Sequence, residues 1–286
     1  MNYLEKLKFS ADSFGSIVCM GMDPVLEDIP LDRGPAGQRI FDFYAAILER
    51  MHKEKVYPAA VKPNYAFYAQ YGFEGLDALY RLVRIYHAAG FPVILDVKRG
   101  DIGKTAEAYA RESFEFFDAD AVTLSPYMGL DSISPFMKNY PDRGYYILNK
   151  TSNKSSGDIQ DVDAGGEPLF LHVSKKIVEW HRPGLGAVVG ATYPAQLDAV
   201  SRIFVDSGKE VPLLIPGVGT QGGDVADVVK VLALGGDVRL HRINSSSAIN
   251  FAYKKYPGMN FAEAAVMAIG ELNDVIEKCI SHETNK

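Results

Sequence analysis

Short apolar runs alternate with longer amphipathic stretches along most of the chain. The runs are rich in Val, Ile and Leu, which is typical of strands buried on both faces of a parallel sheet. Strands are therefore predicted at residues 17–24, 58–63, 92–98, 121–126, 145–150, 186–190, 212–217 and 238–244.

The amphipathic stretches have apolar residues at helical spacing. After a short leading helix they predict helices at 35–52, 76–89, 106–110, 133–139, 169–180, 194–206, 223–234 and 261–278. Strands that alternate with helices pair in parallel through right-handed crossovers, and eight such units can close into a cylinder. We predict an α/β fold, a (β/α)8 TIM barrel, as a single domain over residues 1–286. A doubly wound open sheet is the alternative, but no Gly-x-Gly-x-x-Gly follows the first strand.

Residues 152–166 are the one long polar stretch without periodicity. They follow the fifth strand, at the end of the barrel where active sites lie. The stretch is either a mobile lid or a variable surface loop.

The third predicted strand ends in a cluster of charges. Asp96 and Lys98 project to the same face because side chains alternate along a strand. Gly100 permits a sharp turn that brings Asp101 to the start of a helix, where Thr105 lies one turn further on the same face. Such groups are costly at the end of an apolar strand unless they pair or meet a charged ligand. A structural ion pair with a helix cap is the alternative explanation.

Other strand ends add polar side chains, and in a TIM barrel the C-terminal strand ends face the substrate. They supply Asp23, Lys62, Ser125 and Thr151. Alternating Lys and Asp side chains hold each other ionised. An ionised Asp beside a substrate carboxylate destabilises it, and a charged Lys stabilises a developing carbanion and then protonates it. Loss of carbon dioxide would relieve that repulsion.

Residues 216–223 form a glycine-rich run after the seventh strand. Backbone N–H groups beside a helix start suit a phosphate, and barrels often bind one after strands seven and eight. The alternative is that these glycines serve only the turn. His241 falls within the predicted eighth strand, where a core or surface histidine is expected.

Composition narrows the possible partners and the compartment. The net charge of −6 and pI near 5.6 argue against a binder of nucleic acid or anionic membranes. Apolar runs stay well short of 18 residues, and the start of the chain lacks a continuous apolar core. Cys19 and Cys279 are the two cysteines, so neither a disulfide framework nor a cysteine metal site is indicated. We expect a cytoplasmic protein.

Taken together, these segments resemble the orotidine 5'-phosphate decarboxylases, in particular their longer bacterial form. The resemblance rests on the Asp-x-Lys-x-x-Asp motif at 96–101 and on the segments at 21–24, 61–64, 124–129, 151–153 and 216–223. It spans nearly the whole chain and is specific as a set.

The resemblance implies conversion of orotidine 5'-phosphate to uridine 5'-phosphate in a homodimer, without a metal or an organic cofactor. Lys98 would be the proton donor to pyrimidine C6, and Asp96 would face the leaving carboxyl group. The other implied contacts are Lys62 and Asp23 to the ribose hydroxyls, Ser125 to the pyrimidine, and Gln221, Gly222 and Ser247 at the phosphate. Asp101 and Thr105 would cross the dimer interface, completing a network of Lys62, Asp96, Lys98 and Asp101.

The chain departs from the family pattern at one position. The family usually has a phosphate-binding Arg just after the eighth strand, where this chain has Ser247. Losing such a charge-assisted contact typically costs about 1.5–3 kcal/mol. Arg242 and the neighbouring serine hydroxyls are the candidates to compensate.

Two other functions remain open from the sequence. One is a metal-dependent sugar-phosphate decarboxylase or aldolase of the same barrel superfamily, in which Asp96 and Asp101 would bind a divalent cation. Lys62 and Lys98 disfavour that cation electrostatically. The other, motivated by Ser247, is a catalytically weak nucleotide-phosphate binding protein.

Overall fold

Eight parallel strands form the centre of the protein in the computed structural model, which describes residues 1–218 and 224–284. The strands are β1 (Val18–Met22), β2 (Ala60–Pro63), β3 (Ile94–Arg99), β4 (Ala121–Leu124), β5 (Gly144–Lys150), β6 (Leu185–Val189), β7 (Leu213–Ile215) and β8 (Arg242–Ser245). Continuous ladders join them in the order β2-β1-β8-β7-β6-β5-β4-β3. Two isolated parallel bridges, Val61 to Val93 and Asn64 to Asp96, join β2 to β3. The sheet thereby closes into the predicted TIM barrel, with the β2–β3 seam as its thinnest join.

Helices connect the strands and cover the outside of the barrel. They are α1 (Tyr3–Phe14), α2 (Ala36–Glu54), α3 (Tyr65–Ala69), α4 (Gly72–Ala88), α5 (Gly103–Arg111), α6 (Ser134–Asn139), α7 (Gly157–Gln160), α8 (Leu169–Glu179), α9 (Pro194–Asp206), α10 (Val225–Leu234), α11 (Ser247–Asn250) and α12 (Phe261–Thr284). A π-helical turn, Glu112–Phe116, continues α5. Most predicted helices are confirmed within a few residues, because their apolar faces pack on the sheet.

The core has two parts, as expected for a cylinder wrapped by helices. The larger part lies between the sheet and the surrounding helices. The smaller part fills the inside of the barrel with inward-facing side chains such as Cys19, Ile94 and Tyr146. Tyr3 and Leu7 of α1 belong to this inner cluster, and Tyr3 Oη donates to Tyr146 Oη at 3.0 Å. The leading helix therefore closes the N-terminal end and leaves the C-terminal strand ends as the open face.

The predicted start of the eighth strand is wrong. Residues Val238–Leu240 form a 3-10 turn that Asp237 caps by accepting from the Arg239 amide at 3.1 Å, and β8 begins at Arg242. His241 precedes β8, lies buried, and accepts a hydrogen bond from the Leu213 amide through Nδ1 at 3.1 Å. It is thus a core histidine, and burial lowers its pKa to about 4.

Arg242 cannot compensate for the missing phosphate-binding arginine. Its guanidinium is fully buried at the closed end, where it donates to Leu7 O at 2.6 Å and to Ser10 Oγ at 2.7 Å. Both acceptors belong to α1, so the charge points away from the open face. Position along the strand, rather than distance in sequence, decides which end of the barrel a side chain reaches.

The polar stretch at 152–166 contains local structure despite its lack of periodicity. It includes a 3-10 turn, Lys154–Ser156, and the short helix α7. Gln160 donates to Thr151 Oγ1 at 2.8 Å and accepts from the Thr151 amide at 2.9 Å. Asp161 accepts from the buried Lys150 ammonium at 2.7 Å. These bonds fasten the segment to the end of β5.

Candidate active site

A cavity of about 310 Å³ opens at the C-terminal ends of the strands, and we name it the strand-end cavity. This volume is at the lower end of the range for small-molecule sites, about 300–1,000 Å³. Its lining comprises Asp23, Val25, Lys62, Asn64, Phe67, Asp96 and Phe251 together with residues 216–218 and 244–247. Four of the predicted site residues, Asp23, Lys62, Asp96 and Ser247, therefore meet in one place.

Asp96 lines this cavity and is the centre of a charged cluster. The Lys62 ammonium donates to Asp96 Oδ2 at 2.9 Å, and the Lys98 ammonium donates to Oδ1 at 2.6 Å. Burial alone would raise the pKa of Asp96, but the two ammonium groups outweigh it and hold the pKa well below its usual range. Burial alone would lower the pKa of Lys62, yet the Asp96 and Asp23 carboxylates raise it above its ordinary value. Asp96 and Lys62 are therefore both charged throughout the neutral range.

Lys98 differs from Lys62 in both exposure and backbone conformation. The Lys62 side chain is 7% exposed, whereas that of Lys98 is 51% exposed while its ammonium still contacts Asp96. Lys98 has φ 46°, in the left-handed backbone region that residues other than glycine rarely adopt. Strain of this kind persists where surrounding contacts enforce it and is frequent at functional sites.

Thr123 of β4 holds this conformation and was missed from the sequence. Its hydroxyl accepts from the Lys98 backbone amide at 2.9 Å and donates to Asp96 Oδ1 at 2.8 Å. The sequence signal was available, since Thr123 is the polar residue of an otherwise apolar strand. Thr is common in β-strands, so the residue type alone does not distinguish this position.

Asp23 and Asn244 supply further polar atoms to the cavity. Asp23 follows β1, and Asn244 is the third residue of β8. Asp23 Oδ1 and Asn244 Oδ1 are buried without a hydrogen-bond partner in the described chain. Buried acceptors of this kind normally find a donor, so both atoms are suited to ligand hydroxyl or amide groups.

Gly21 allows β8 to approach β1 beside the cavity. A Cβ at this position would lie 1.9 Å from Ser246 Oγ, too close for any side chain. The glycine of the 21–24 segment therefore brings the serines after β8 into the cavity wall.

The wall expected to hold a phosphate carries hydroxyl groups rather than a cation. Ser246 and Ser247 line it, and Ser247 begins the short helix α11. Among the described lining residues Lys62 alone is positively charged, and it is already paired with Asp96. Gln221 and Gly222, predicted at the phosphate, lie outside the described residues.

The remaining predicted residues lie beside the cavity. Ser125 follows β4, and its Oγ is 3.5 Å from the Tyr127 amide. The Asp101 carboxylate accepts from the Ile102 amide at 2.8 Å. Within the described part of this single chain, the Lys98 ammonium pairs with Asp96 and not with Asp101. Thr105 is exposed on α5. The structure thus brings together Lys62, Asp96 and Lys98, and leaves Asp101 and Thr105 at the surface.

Asn64 and Phe251 are further cavity residues that sequence reasoning did not single out.

Across the part of the chain that is described, no three His, Cys, Asp or Glu side chains cluster as metal ligands. Among the helices of residues 1–218 and 224–284, none has the length and apolar character needed to cross a membrane.

Comparison with known proteins gives consistent matches over nearly the whole chain. The family model described as "Orotidine 5'-phosphate decarboxylase / HUMPS family" matches residues 16–241. The orotidine 5'-phosphate decarboxylase of Roseiflexus castenholzii is 43% identical over 283 residues, covering 98% of this chain and 99% of that protein.

Solved structures agree with these matches. Leishmania donovani OMP decarboxylase superposes with a TM-score of 0.79 and 32% identity, covering 98% of this chain and 100% of that one. Leishmania donovani UMP synthase also has a TM-score of 0.79 with 34% identity, and there the match covers 98% of this chain but 57% of the longer one.

Proposed function

Because the chain belongs to the orotidine 5'-phosphate decarboxylase / HUMPS family, we propose that it converts orotidine 5'-phosphate to uridine 5'-phosphate and carbon dioxide. This carboxy-lyase reaction is the last step of pyrimidine nucleotide synthesis, and we propose that no metal or organic cofactor takes part. The observation that carries the proposal is the ionised Asp96 carboxylate held between two ammonium groups at the open end of the barrel.

The charges in the strand-end cavity fit the steps of a decarboxylation. When the bond between C6 and the carboxyl group breaks, carbon dioxide leaves and the electron pair stays on C6. Asp96 faces the carboxylate and repels it, and this repulsion ends when carbon dioxide departs. The Lys98 ammonium stabilises the negative charge that develops at C6 and then transfers a proton to it. Its half-exposed side chain allows it to regain a proton from solvent.

The other cavity residues have the chemistry to bind the rest of the nucleotide. We assign Lys62 and Asp23 to the ribose hydroxyls, with the unpartnered Asp23 Oδ1 as an acceptor. Ser125 would contact the pyrimidine. Gln221, Gly222 and Ser247 would hold the phosphate through hydroxyl, amide and backbone N–H groups.

A homodimer would bring Asp101 and Thr105 of one protomer to the active site of its partner. Asp101 and Thr105 lie at the surface of the single chain, where they could reach a partner's cavity and complete the network of Lys62, Asp96, Lys98 and Asp101. Ile102, Met128 and Leu130 lie in this region and are at least 39% exposed. Tyr127, at 85%, adds to the same apolar surface, which favours association.

We also propose that residues 152–166 act as a lid of the single barrel domain. The segment is fastened near the open end through Lys150 and Thr151, and such contacts can be exchanged for contacts with a bound nucleotide. The free thiols of Cys19 and Cys279 fit a reducing compartment, and we assign the enzyme to the cytoplasm.

The test is to follow orotidine 5'-phosphate consumption by ultraviolet absorbance with purified protein and excess chelator. We expect turnover that the chelator does not change. Such chelator-insensitive turnover would exclude the metal-dependent sugar-phosphate decarboxylase or aldolase, and a requirement for a divalent cation would contradict the proposed cofactor-free reaction. Affinity for uridine 5'-phosphate without turnover at saturating substrate would indicate a nucleotide-phosphate binding protein.

A further inference from the structure

Thr123 stands at an irregularity between two barrel strands. The β3–β4 ladder pairs Ile94 with Ala121 and Leu95 with Val122, and then resumes with Arg99 opposite Leu124. Three residues of β3, from Asp96 to Lys98, therefore oppose Thr123 alone. A bulge of this kind redirects side chains and leaves backbone groups without their ladder partners.

The Thr123 side chain supplies a hydrogen bond to one of those backbone groups, the Lys98 amide. Its hydroxyl lies 2.9 Å from the Lys98 amide and 2.8 Å from Asp96 Oδ1, and the residue is 1% exposed. The direction of both bonds is fixed, because a backbone amide can only donate and an ionised carboxylate can only accept. The single hydroxyl proton is thus directed to Asp96, and one of the two oxygen lone pairs to the Lys98 amide.

We propose that Thr123 is a positioning residue, which fixes the Asp96 carboxylate and the left-handed Lys98 backbone in the relative placement that proton transfer requires. This inference rests on the proposed function. The donor proton and one lone pair of the hydroxyl are used within the protein and the residue is buried, so Thr123 acts through Asp96 and Lys98 rather than on the substrate. Its contribution is therefore to the chemical step more than to substrate affinity.

The test compares Thr123→Val, which has the same shape without the hydroxyl, with Thr123→Ser, which keeps the hydroxyl. For Thr123→Val we expect kcat to fall about tenfold to a hundredfold with KM within about threefold, because misplacement near 1 Å has effects of this size. Thr123→Ser should restore most of kcat. The matched control is Ser113→Ala, which removes a fully buried hydroxyl bonded to Tyr109 O at 2.8 Å and should leave kcat unchanged.

Wild-type kcat in Thr123→Val, or an equal loss in Thr123→Ser, would overturn the proposal. If Thr123→Val does not fold, Thr123→Ala and Thr123→Ser provide the same comparison. A crystal structure of the hydroxyl-free variant separates this inference from the proposed function, because it is decisive even if the parent protein has no turnover. We expect Lys98 to leave the left-handed region or its ammonium to leave Asp96, and an unchanged Lys98 would overturn the inference.

Discussion

Two buried aspartates lie at opposite ends of the barrel, and each contacts two basic side chains. At the open end, Asp96 contacts Lys62 and Lys98. At the closed end, Asp120 contacts the Lys6 ammonium at 2.5 Å and His87 Nε2 at 2.7 Å. Burial alone would raise the pKa of Asp120, but bonds from His87 and Lys6 lower it to about 2. A buried carboxylate held ionised is therefore not by itself a sign of an active site.

The difference lies in what the partners are attached to. Asp120 joins Lys6 of α1 and His87 of α4, and it accepts from the Val93 amide just before β3 at 2.8 Å. These bonds fasten helices to the closed end of the barrel. Asp96 instead lines an open cavity and holds a half-exposed lysine with a strained backbone. The same ion-pair chemistry serves structure at one end and reactivity at the other.

Of the changes at the two ends of the barrel, removal of the Lys98 ammonium should have the largest effect, and that effect should be on kcat. We predict that Lys98→Ala lowers kcat about a thousandfold or more while the fold stays intact, since general acid groups contribute about 10²–10⁴-fold. Ultraviolet assays and circular dichroism measure the two quantities. Lys6→Ala is the matched control at the closed end and should keep wild-type kcat. Substantial activity in Lys98→Ala would refute its role as proton donor.

Neutralising Asp120, the carboxylate at the closed end, should lower stability and leave activity unchanged. Asp120→Asn should lower the free energy of unfolding by about 3 kcal/mol, because the partly exposed Lys6 and His87 side chains lose the buried carboxylate that they contact. Urea denaturation measures this loss, and kcat of the folded protein should not change. Asp96→Asn should abolish turnover with a smaller loss of stability. If both variants lost activity equally, the functional division between the two ends would be wrong.

Acid should weaken the closed end while the open end stays charged. His241 has a pKa lowered to about 4 by burial, so between pH 6.5 and 4 the unfolded chain binds a proton that the folded protein does not. Stability is therefore lost as pH falls through this window, by about 3 kcal/mol from this group. Urea denaturation at pH 7 and pH 4.5 measures the change. His241→Asn, whose Oδ1 can accept from Leu213, should flatten the dependence, and an unchanged slope would contradict the assignment.

A positive charge added at Ser247, in the wall of the strand-end cavity, should have the smallest effect. Ser247→Arg should lower KM for orotidine 5'-phosphate about tenfold, as expected for a charge-assisted phosphate contact. Ser247→Gln supplies a neutral side chain as the control and should lower KM less. A KM that is the same in Ser247→Arg and wild type would argue against this position as the phosphate end.

The barrel could be predicted from the sequence because buried strands and amphipathic helices leave strong periodic patterns. Lys62, Asp96 and Lys98 could be brought together because strand ends of a barrel share one face. The end of the barrel that Arg242 faces could not be predicted, since it depends on where β8 begins. The position of Thr123 opposite three residues of β3 is equally non-local, because register between strands is not written in either strand alone.

The β2–β3 seam gives the charged cluster a mechanical consequence. Ladders of paired residues join the other neighbouring strands, whereas two isolated bridges join these two, and the Lys62–Asp96 contact spans the same gap. The Lys62–Asp96 pair, which belongs to the proposed catalytic network, thus also helps to join β2 to β3 and close the barrel. Because few backbone bonds hold this seam, we expect warming to separate Lys62 from Asp96 early, and catalysis to fail before the helices melt.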